Sequence, residues 1–401
     1  MEDFEPDFPI HPTALPPTAH KGRGAIGNPG DRYAAWTRQA EDDGWQFAAS
    51  DADTPTGPAT ELLVDSAKSV LTRNTSPDLP FDRSVNPYRG CEHGCIYCYA
   101  RPSHAWLGLS PGLDFETRIL HKPEAAALLR QELAKPGYAC APLALGTNTD
   151  VYQPVERKLG LTRQILELLR ETGHPVTIVT KSALVERDLD ILADMAARGL
   201  AEVTFSITSL DPELSRRWEP RAASPARRLE AMARLAAAGI PVGVLAAPIA
   251  PGLNDHELEK ILAASKEAGA RAAAYTVLRL PKEVAGLFQA WLDHHAPQKA
   301  ARIMAILYDL RGGEANDGRF GLRMTGLGHY ADLLRQRFQL AVKRLGYSGL
   351  PPLVSDAFRP PATQAGKSNG GVASSRSKSK PESRLPTKTA AKPDDSQLSL
   401  F

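Results

Sequence analysis

Three cysteines lie close together in the segment NPYRGCEHGCIYCYARP, and their spacing suits a metal group. Cys91, Cys95 and Cys98 form the pattern C-x3-C-x2-C. A 4Fe-4S cluster normally takes four thiolates, so a loop that offers three leaves one iron with an open coordination position. That iron can bind a further ligand. The pattern therefore predicts a cluster with a free binding position.

A structural zinc site is the competing interpretation of this loop. Such sites usually combine C-x2-C pairs into a closed shell of four ligands, and Cys140, His93 or His104 could complete one here. The sequence contains no second C-x2-C pair. We therefore favour the iron–sulfur cluster over zinc.

The composition limits the class of protein. The chain has 401 residues, 42% of them hydrophobic, and a formal net charge of +2. Four cysteines at this length argue against a disulfide scaffold and fit a reducing compartment. No run of about 18 apolar residues is present, and the acidic, proline-rich start lacks the features of a signal peptide. We expect a cytoplasmic protein with no membrane partner.

Short apolar runs alternate with longer amphipathic segments through the middle of the chain, which predicts βα units and a parallel sheet. The predicted strands are 84–88, 142–147, 176–180, 202–208, 242–247 and 271–277. The predicted helices are 123–135, 161–172, 184–198, 225–238, 255–268, 282–292, 298–311 and 330–345. Such units can close into most of a β/α barrel or spread as an open sheet, and periodicity does not separate the two.

The two ends of the chain differ from this middle. Residues 1–60 predict a mostly irregular arm, with Trp36 and Trp45 as its large apolar anchors. We expect the core at 61–295, a helical extension at 296–355 and a disordered basic tail at 356–401. The extension contains a glycine-rich loop with three arginines (Arg311, Arg319 and Arg323), for which phosphate contact and internal ion pairing are the two interpretations.

The cysteine loop resembles that of the radical S-adenosylmethionine (SAM) superfamily, in which an aromatic residue also precedes the last cysteine. The resemblance implies a partial (β/α)6 TIM-type barrel over about residues 84–277. It also implies that SAM binds the open iron through its amino and carboxylate groups. One electron from an external donor then cleaves SAM to methionine and a 5′-deoxyadenosyl radical.

Further positions resemble SAM-binding segments of that family. Gly146, Thr147 and Asn148 follow the second strand where backbone carbonyls meet the SAM amino group, although the family more often has Gly-Gly-Glu there. Ser206 stands where the family places a group for the ribose or carboxylate, and Lys181 ends the third strand. The alternative interpretations are an ordinary strand-end serine and a solvated lysine. Residues 243–255 resemble the segment that lies along the adenine and methionine edge.

The amino-acid sequences of these segments most resemble those of the spore photoproduct lyase-like group of DNA-repair enzymes. In that lyase, tyrosines flanking the last cysteine are linked to hydrogen transfer, and Tyr97 and Tyr99 occupy those places. Packing around the cluster is the alternative role. The lyase also carries a hydrogen-donating cysteine at the end of the second strand, where this chain has Gly146 or Thr147. Cys140 lies earlier, and we expect it at the opposite end of the strand.

The last five residues, QLSLF, resemble the peptide that binds the bacterial sliding clamp. Gln397, Leu398, Leu400 and Phe401 would fill pockets on the clamp, and the preceding tail would act as a flexible tether. With the lyase-like motifs, this ending favours DNA as substrate and a role in repair. RNA or protein modification by the same chemistry, or a non-catalytic factor at the replication fork, are the alternatives.

Overall fold

The computed structural model describes residues 19–30, 32–33 and 58–362. Trp36, Trp45 and the ending Gln397–Phe401 lie outside these residues. The described residues form ten strands: β1 Glu61–Val64, β2 Leu71–Arg73, β3 Arg83–Val85, β4 Tyr88–Arg89, β5 Arg118–His121, β6 Leu143–Leu145, β7 Val176–Thr180, β8 Ala201–Ser206, β9 Val242–Ile249 and β10 Ala272–Val277.

They also form twelve α-helices: α1 Leu113–Thr117, α2 Ala125–Leu133, α3 Glu156–Leu159, α4 Leu161–Thr172, α5 Leu189–Ala197, α6 Pro212–Trp218, α7 Pro225–Ala237, α8 Leu258–Glu267, α9 Val284–His295, α10 Pro297–Asp309, α11 Leu322–Thr325 and α12 Gly328–Leu345. Three 3₁₀ helices lie at Arg101–Leu107, Ala183–Asp188 and Asp255–Glu257. Among these helices, none is long and apolar enough to cross a membrane.

The main sheet has seven strands in the order β10-β9-β8-β7-β6-β3-β2. Six of them, β3 and β6 to β10, run parallel, and β2 is antiparallel to β3 at one edge. The edge strands β10 and β2 do not pair, so the sheet is not a closed barrel. This arrangement confirms the predicted partial (β/α)6 architecture.

Local sequence signals explain where these elements end. Helix α4 buries the apolar stripe that includes Ile165 and Leu169, and it stops at Gly173, whose φ of +63° suits a residue without Cβ. Helix α7 begins at Ser224, whose hydroxyl accepts from the Arg227 amide, with Pro225 in the first turn. Strand β7 and helix α4 have the predicted bounds.

The predicted first strand, 84–88, is wrong in one respect. Strand β3 stops at Val85, and Tyr88 belongs to β4 in a second sheet of order β1-β5-β4. Pro87 lies between the two strands and has no amide hydrogen for a ladder, while its carbonyl accepts from the Lys122 amide. The chain therefore changes sheets there, and β4 leads directly into the cysteine loop.

The three arginines of the glycine-rich loop are all engaged within the protein. Arg323 is fully buried and pairs with Asp78 at 2.6 Å, and Arg319 pairs with Asp317 at 2.7 Å. Arg311 donates to four backbone carbonyls, those of Val277, Leu278, Leu322 and Arg323. These contacts support internal pairing over phosphate binding, and they fasten the loop beside the open edge at β10.

Candidate functional site

The carboxyl ends of the parallel strands place the candidate residues at one edge of the sheet. The cysteine loop follows β3 and β4, Gly146 follows β6, Lys181 follows β7 and Ser206 ends β8. Cys91 and Cys95 are buried, and Cys98 is partly buried. Tight turns shape the loop, because the Gly94 amide donates to the Cys91 carbonyl and the Cys98 amide to the Cys95 carbonyl.

Burial opposes ionisation of the three thiols unless a bound cation stabilises the thiolates. Burial, with smaller contributions from Asp150, Cys95 and Cys98, raises the pKa of Cys91 well above its ordinary value. Burial also raises the pKa of Cys95 to about 12. A thiolate is the form that ligates iron, and bound metal ions stabilise it electrostatically. The donor set therefore fits a cationic metal group shared by all three side chains.

A closed zinc shell is not formed among the described residues. In the described part of the chain, no three Cys, His, Asp or Glu side chains converge on the position of one metal ion. Two of the possible fourth ligands have partners elsewhere, although His104 Nδ1 has none among the described residues. His93 Nδ1 lies 3.4 Å from Asp150 Oδ2, and His104 Nε2 lies 3.0 Å from the Arg118 carbonyl oxygen. The thiolates of a 4Fe-4S cluster bind different iron atoms and need not converge on one point.

Cys140 lies away from this loop, as expected. It precedes β6, on the amino side of the strand, and interacts with Arg83 and Ser355. Burial raises the pKa of Cys140 to about 11. The carboxyl end of β6 therefore has no thiol from this residue.

Arg101 fastens the cysteine loop from behind, a role that the sequence analysis missed. Its guanidinium donates to the carbonyls of Cys95 and Gly94 at 2.9 and 3.2 Å, and to those of Pro111 and Gly112 at 3.0 and 2.9 Å. It also pairs with Glu116 at 2.5 Å, and both side chains have no exposed surface. The segment ARP, which follows Tyr99 after the last cysteine, was the available signal.

Glu116 extends this support to the N-terminal segment. Its carboxylate accepts from the amides of Gly24 and Ala25 at 2.9 and 2.8 Å. A Cβ at Gly24 would stand 1.8 Å from the Gly94 carbonyl oxygen, so that only glycine fits there. The part of the predicted irregular arm that the structure describes thus packs directly on the cysteine loop.

The segment after β6 has the features expected of a binding strand end. Gly146 has a φ of +80°, and a Cβ there would lie 2.0 Å from the Val179 carbonyl oxygen. The Thr147 carbonyl accepts from the Tyr99 hydroxyl, and the buried Thr147 Oγ1 has no hydrogen-bond partner among the described residues. The Asn148 amide donates to Asn86 Oδ1 at 3.3 Å. An unsatisfied buried hydroxyl at this edge is consistent with a polar ligand.

Lys181 and Ser206 come together at the ends of neighbouring strands. Lys181 Nζ donates to Ser206 Oγ at 2.9 Å, and Ser206 Oγ donates to the Ala247 carbonyl at 3.0 Å. The ammonium group lies 5.9 Å from the centre of the Tyr97 ring. In the residues that the structure describes, no carboxylate forms an ion pair with Lys181. A cation held mainly by a hydroxyl can accept an anionic ligand such as a carboxylate.

Tyr97 belongs to a buried network around Glu219, which the sequence analysis also missed. The Tyr97 and Thr208 hydroxyls and the Arg228 guanidinium all donate to the Glu219 carboxylate. Burial alone raises the pKa of Glu219, but the charge of Arg228, the charge of Lys181 and these hydrogen bonds lower it below its ordinary value. Burial and the nearby Cys95 and Glu219 raise the pKa of Tyr97 well above its ordinary value. The phenol therefore keeps its proton at neutral pH.

Tyr99 faces the other side of the site. Its hydroxyl reaches the Thr147 carbonyl, and the Arg279 guanidinium carbon lies 4.8 Å from the centre of its ring. Burial raises the pKa of Tyr99 to about 12, although the charge of Arg279 opposes this shift. Both tyrosines beside the last cysteine thus keep a protonated hydroxyl group. The Tyr99 hydroxyl contacts Thr147 after β6, and the Tyr97 hydroxyl contacts Thr208 after β8.

Comparisons with known proteins agree with this arrangement. The family model described as "Radical SAM superfamily" matches residues 85–264. An uncharacterised protein of Mycobacterium tuberculosis (strain H37Rv) is 39% identical over 248 residues, which cover 61% of this chain and 72% of the relative. One of Methanocaldococcus jannaschii is 29% identical over 197 residues, covering 49% and 71% of the two chains.

Solved structures of spore photoproduct lyase share the fold. A cysteine-to-serine variant has a TM-score of 0.52 at 17% identity, with 72% of this chain and 80% of that chain covered. The lyase complexed with dinucleoside spore photoproduct has a TM-score of 0.51 at 16% identity, with the same shares covered. The family match, the cysteine loop and the shared fold lead to one conclusion: the chain belongs to the radical SAM superfamily.

Proposed function

We propose that Cys91, Cys95 and Cys98 hold a 4Fe-4S cluster and that SAM binds beside it across the ends of β6, β7 and β8. When bound, the cluster supplies the electron that cleaves SAM into methionine and a 5′-deoxyadenosyl radical. Lys181 is the proposed partner of the SAM carboxylate, because its ammonium group has a hydroxyl but no carboxylate partner among the described residues. Ser206 orients that lysine, and the carbonyls of Gly146, Thr147 and Asn148 accept from the SAM amino group.

We infer that the substrate is DNA and that the reaction serves repair. The observation that carries this proposal is the lyase-like fold together with Tyr97 and Tyr99 beside the last cysteine. One of the lyase structures is complexed with dinucleoside spore photoproduct, which makes damaged DNA the first substrate to test. This chain is an enzyme of the same superfamily, and the lyase-like specificity is the proposed part.

Hydrogen transfer in this chain requires a donor other than the lyase's cysteine. The Gly146 position admits no side chain, Thr147 offers a hydroxyl, and Cys140 lies at the opposite end of β6. We therefore propose the phenol O–H groups of Tyr97 and Tyr99 as donors. Transfer of one hydrogen atom to a substrate radical leaves a tyrosyl radical, which one electron and one proton from the external reductant restore.

The test of this function is an anaerobic assay with reconstituted protein, SAM, dithionite and ultraviolet-irradiated DNA. We expect 5′-deoxyadenosine to form and a thymine photoproduct to disappear. Less 5′-deoxyadenosine should form when undamaged DNA replaces the irradiated DNA. Formation of 5′-deoxyadenosine without any change in the DNA would contradict the substrate and direct the search to RNA or protein. A protein that binds a cluster but never cleaves SAM would contradict the activity itself.

We also propose that Gln397, Leu398, Leu400 and Phe401 bind the bacterial sliding clamp. The sequence QLSLF supports this proposal, since two leucines and a phenylalanine close a tail that is otherwise poor in large apolar side chains. Removing residues 397–401 should abolish retention of the protein on immobilised clamp, whereas a deletion of equal length at 371–375 should not. Equal retention of the two shortened proteins would contradict the proposal.

A further inference from the structure

Arg279 lies where the chain leaves β10, the strand at the open edge of the main sheet. Strand β10 ends at Val277, so Arg279 stands at the same carboxyl edge as Lys181 and Ser206. Strand β9 separates β10 from β8, the nearest of the three strands whose ends are assigned to SAM. Arg279 therefore belongs to the edge of the sheet that carries the site, but on a side with no function assigned so far.

The guanidinium group of Arg279 has no hydrogen-bond or ion-pair partner among the described residues, although its side chain is only partly exposed. Its guanidinium carbon lies 4.8 Å from the centre of the Tyr99 ring. Burial and the like charge of Arg323 lower the pKa of Arg279 below its ordinary value. A guanidinium carries five N–H donors, and their removal from water without acceptors costs free energy. A bound anion would supply those acceptors.

Two neighbouring arginines differ from Arg279 in this respect. Arg311 donates to four backbone carbonyls, as described above. Arg323 donates to both carboxylate oxygens of Asp78, at 2.8 and 2.6 Å. Because each Asp78 oxygen already accepts from Arg323, this carboxylate does not neutralise Arg279 by pairing. In the part of the chain that the structure describes, Arg279 is thus the unpaired cation of this group.

The two tyrosines beside the last cysteine separate Arg279 from the proposed SAM partner. Lys181 Nζ lies 5.9 Å from the centre of the Tyr97 ring, whereas Arg279 contacts the ring of Tyr99. The SAM carboxylate is assigned to Lys181, on the side of Tyr97. The side of Tyr99 therefore has its own cation, which is available for an anionic group of a second ligand.

We propose that Arg279 binds a backbone phosphate of the DNA substrate and thereby holds the damaged nucleotides beside Tyr99. The planar fork of an arginine matches a phosphodiester, whose two non-bridging oxygens can accept from it together. Phosphate contacts fix the register of a nucleic acid on a protein. This contact would therefore determine which nucleotide faces the tyrosine. The inference rests on the proposed DNA substrate and adds a residue that recognises it.

An exposed aromatic side chain on the same side favours a nucleic acid over an acidic peptide. Phe320 is 50% exposed on the glycine-rich loop, and the Arg323 guanidinium carbon lies 5.0 Å from the centre of its ring. Unpaired bases stack on exposed aromatic rings, and cations beside them attract the backbone. A carboxylate of a peptide needs the cation alone. The combination of Arg279 with Phe320 therefore fits an unpaired nucleotide better.

The experiment uses the reconstituted full chain and irradiated oligonucleotides with a single thymine pair. In each oligonucleotide, one phosphate at or beside the photoproduct is replaced by a neutral methylphosphonate. We expect Arg279→Gln to bind the all-phosphate oligonucleotide at least ~10-fold more weakly, measured by fluorescence anisotropy. One methylphosphonate position should weaken binding by the unaltered protein to a similar extent, but should not weaken binding by Arg279→Gln further. A purely structural role of Arg279 would not produce this dependence on one linkage.

Arg302→Gln is the matched control. Arg302 also lacks a side-chain partner among the described residues, but it is exposed on α10. Because distant surface charges are screened by salt, this variant should bind each oligonucleotide within about twofold of the unaltered protein. Arg279→Lys keeps the positive charge without the planar fork, so its affinity should fall less than that of Arg279→Gln and depend on the same linkage. This lysine variant carries the test if circular dichroism shows that the glutamine variant is unfolded.

Several results would overturn the inference. Equal oligonucleotide affinity of Arg279→Gln and Arg302→Gln is one, and equal methylphosphonate losses in Arg279→Gln and the unaltered protein are another. Unchanged oligonucleotide affinity with weaker SAM binding would assign Arg279 to the SAM carboxylate, and weaker binding of polyglutamate alone would assign it to an acidic protein. Failure of the DNA proposal itself is distinguishable, because the unaltered protein would then not bind the irradiated oligonucleotide.

Discussion

Replacing Cys95 with alanine should eliminate both the iron–sulfur cluster and the cleavage of SAM. That variant keeps two of the three thiolates that would hold the cluster. The fourth cysteine, Cys140, lies away from the loop and cannot replace the missing thiol. Iron and sulfide content, visible absorption and 5′-deoxyadenosine yield after anaerobic reconstitution measure the effect. We expect all of these to fall to background.

Cys140→Ala is the matched control for this prediction. Cys140 is also partly buried and its pKa is also raised, but it lies on the amino side of β6. Its removal should leave iron content and SAM cleavage unchanged. A Cys95→Ala protein with as much cluster and activity as the Cys140→Ala protein would refute the assignment of the loop.

Replacing Arg101 with leucine should destabilise the fold by about 3–5 kcal/mol, because the buried Glu116 carboxylate loses its partner. The carbonyls of Cys95, Gly94, Pro111 and Gly112 lose their donors in the same change. Urea unfolding of the variant and the unaltered protein, followed by circular dichroism, gives the difference in the free energy of unfolding. Lower iron content should accompany the loss, since two of these carbonyls, those of Gly94 and Cys95, belong to the cysteine loop.

Arg130→Ala provides the comparison for this ion pair. Arg130 also pairs with a glutamate, Glu171, at 2.5 Å, but both side chains are substantially exposed. Surface pairs contribute about 0–1 kcal/mol, so this variant should unfold almost as the unaltered protein does. Equal effects of Arg101→Leu and Arg130→Ala would show that the buried pair does not support the loop.

Sequence patterns predicted the strands and helices, which depend on residues close together in the chain. The βα alternation predicted all six parallel strands, because each strand or helix shows its own periodicity. The positions of Lys181 and Ser206 near the ends of their strands were predicted, but the hydrogen bond between them was not. The family resemblance supplied the cysteine loop and the partial barrel.

The missed features depend on contacts between distant parts of the chain. Tyr97 and Glu219 are 122 positions apart, and nothing in either local sequence indicates that one will bond the other. The second sheet pairs β1 with β5, whose residues Glu61 and Arg118 are 57 positions apart. Such pairings become visible only when the burial and geometry of the whole fold are known.

The hydrogen bonds around the cysteine loop also set an order for its assembly during synthesis. The three cysteines leave the ribosome after Gly24 but long before Glu219 and Arg228, whose network holds Tyr97. Until residue 228 has emerged, the thiols lack part of their surroundings and are open to oxidation or to the wrong metal. The proposed cluster would therefore meet a complete loop only after residue 228 has been synthesised.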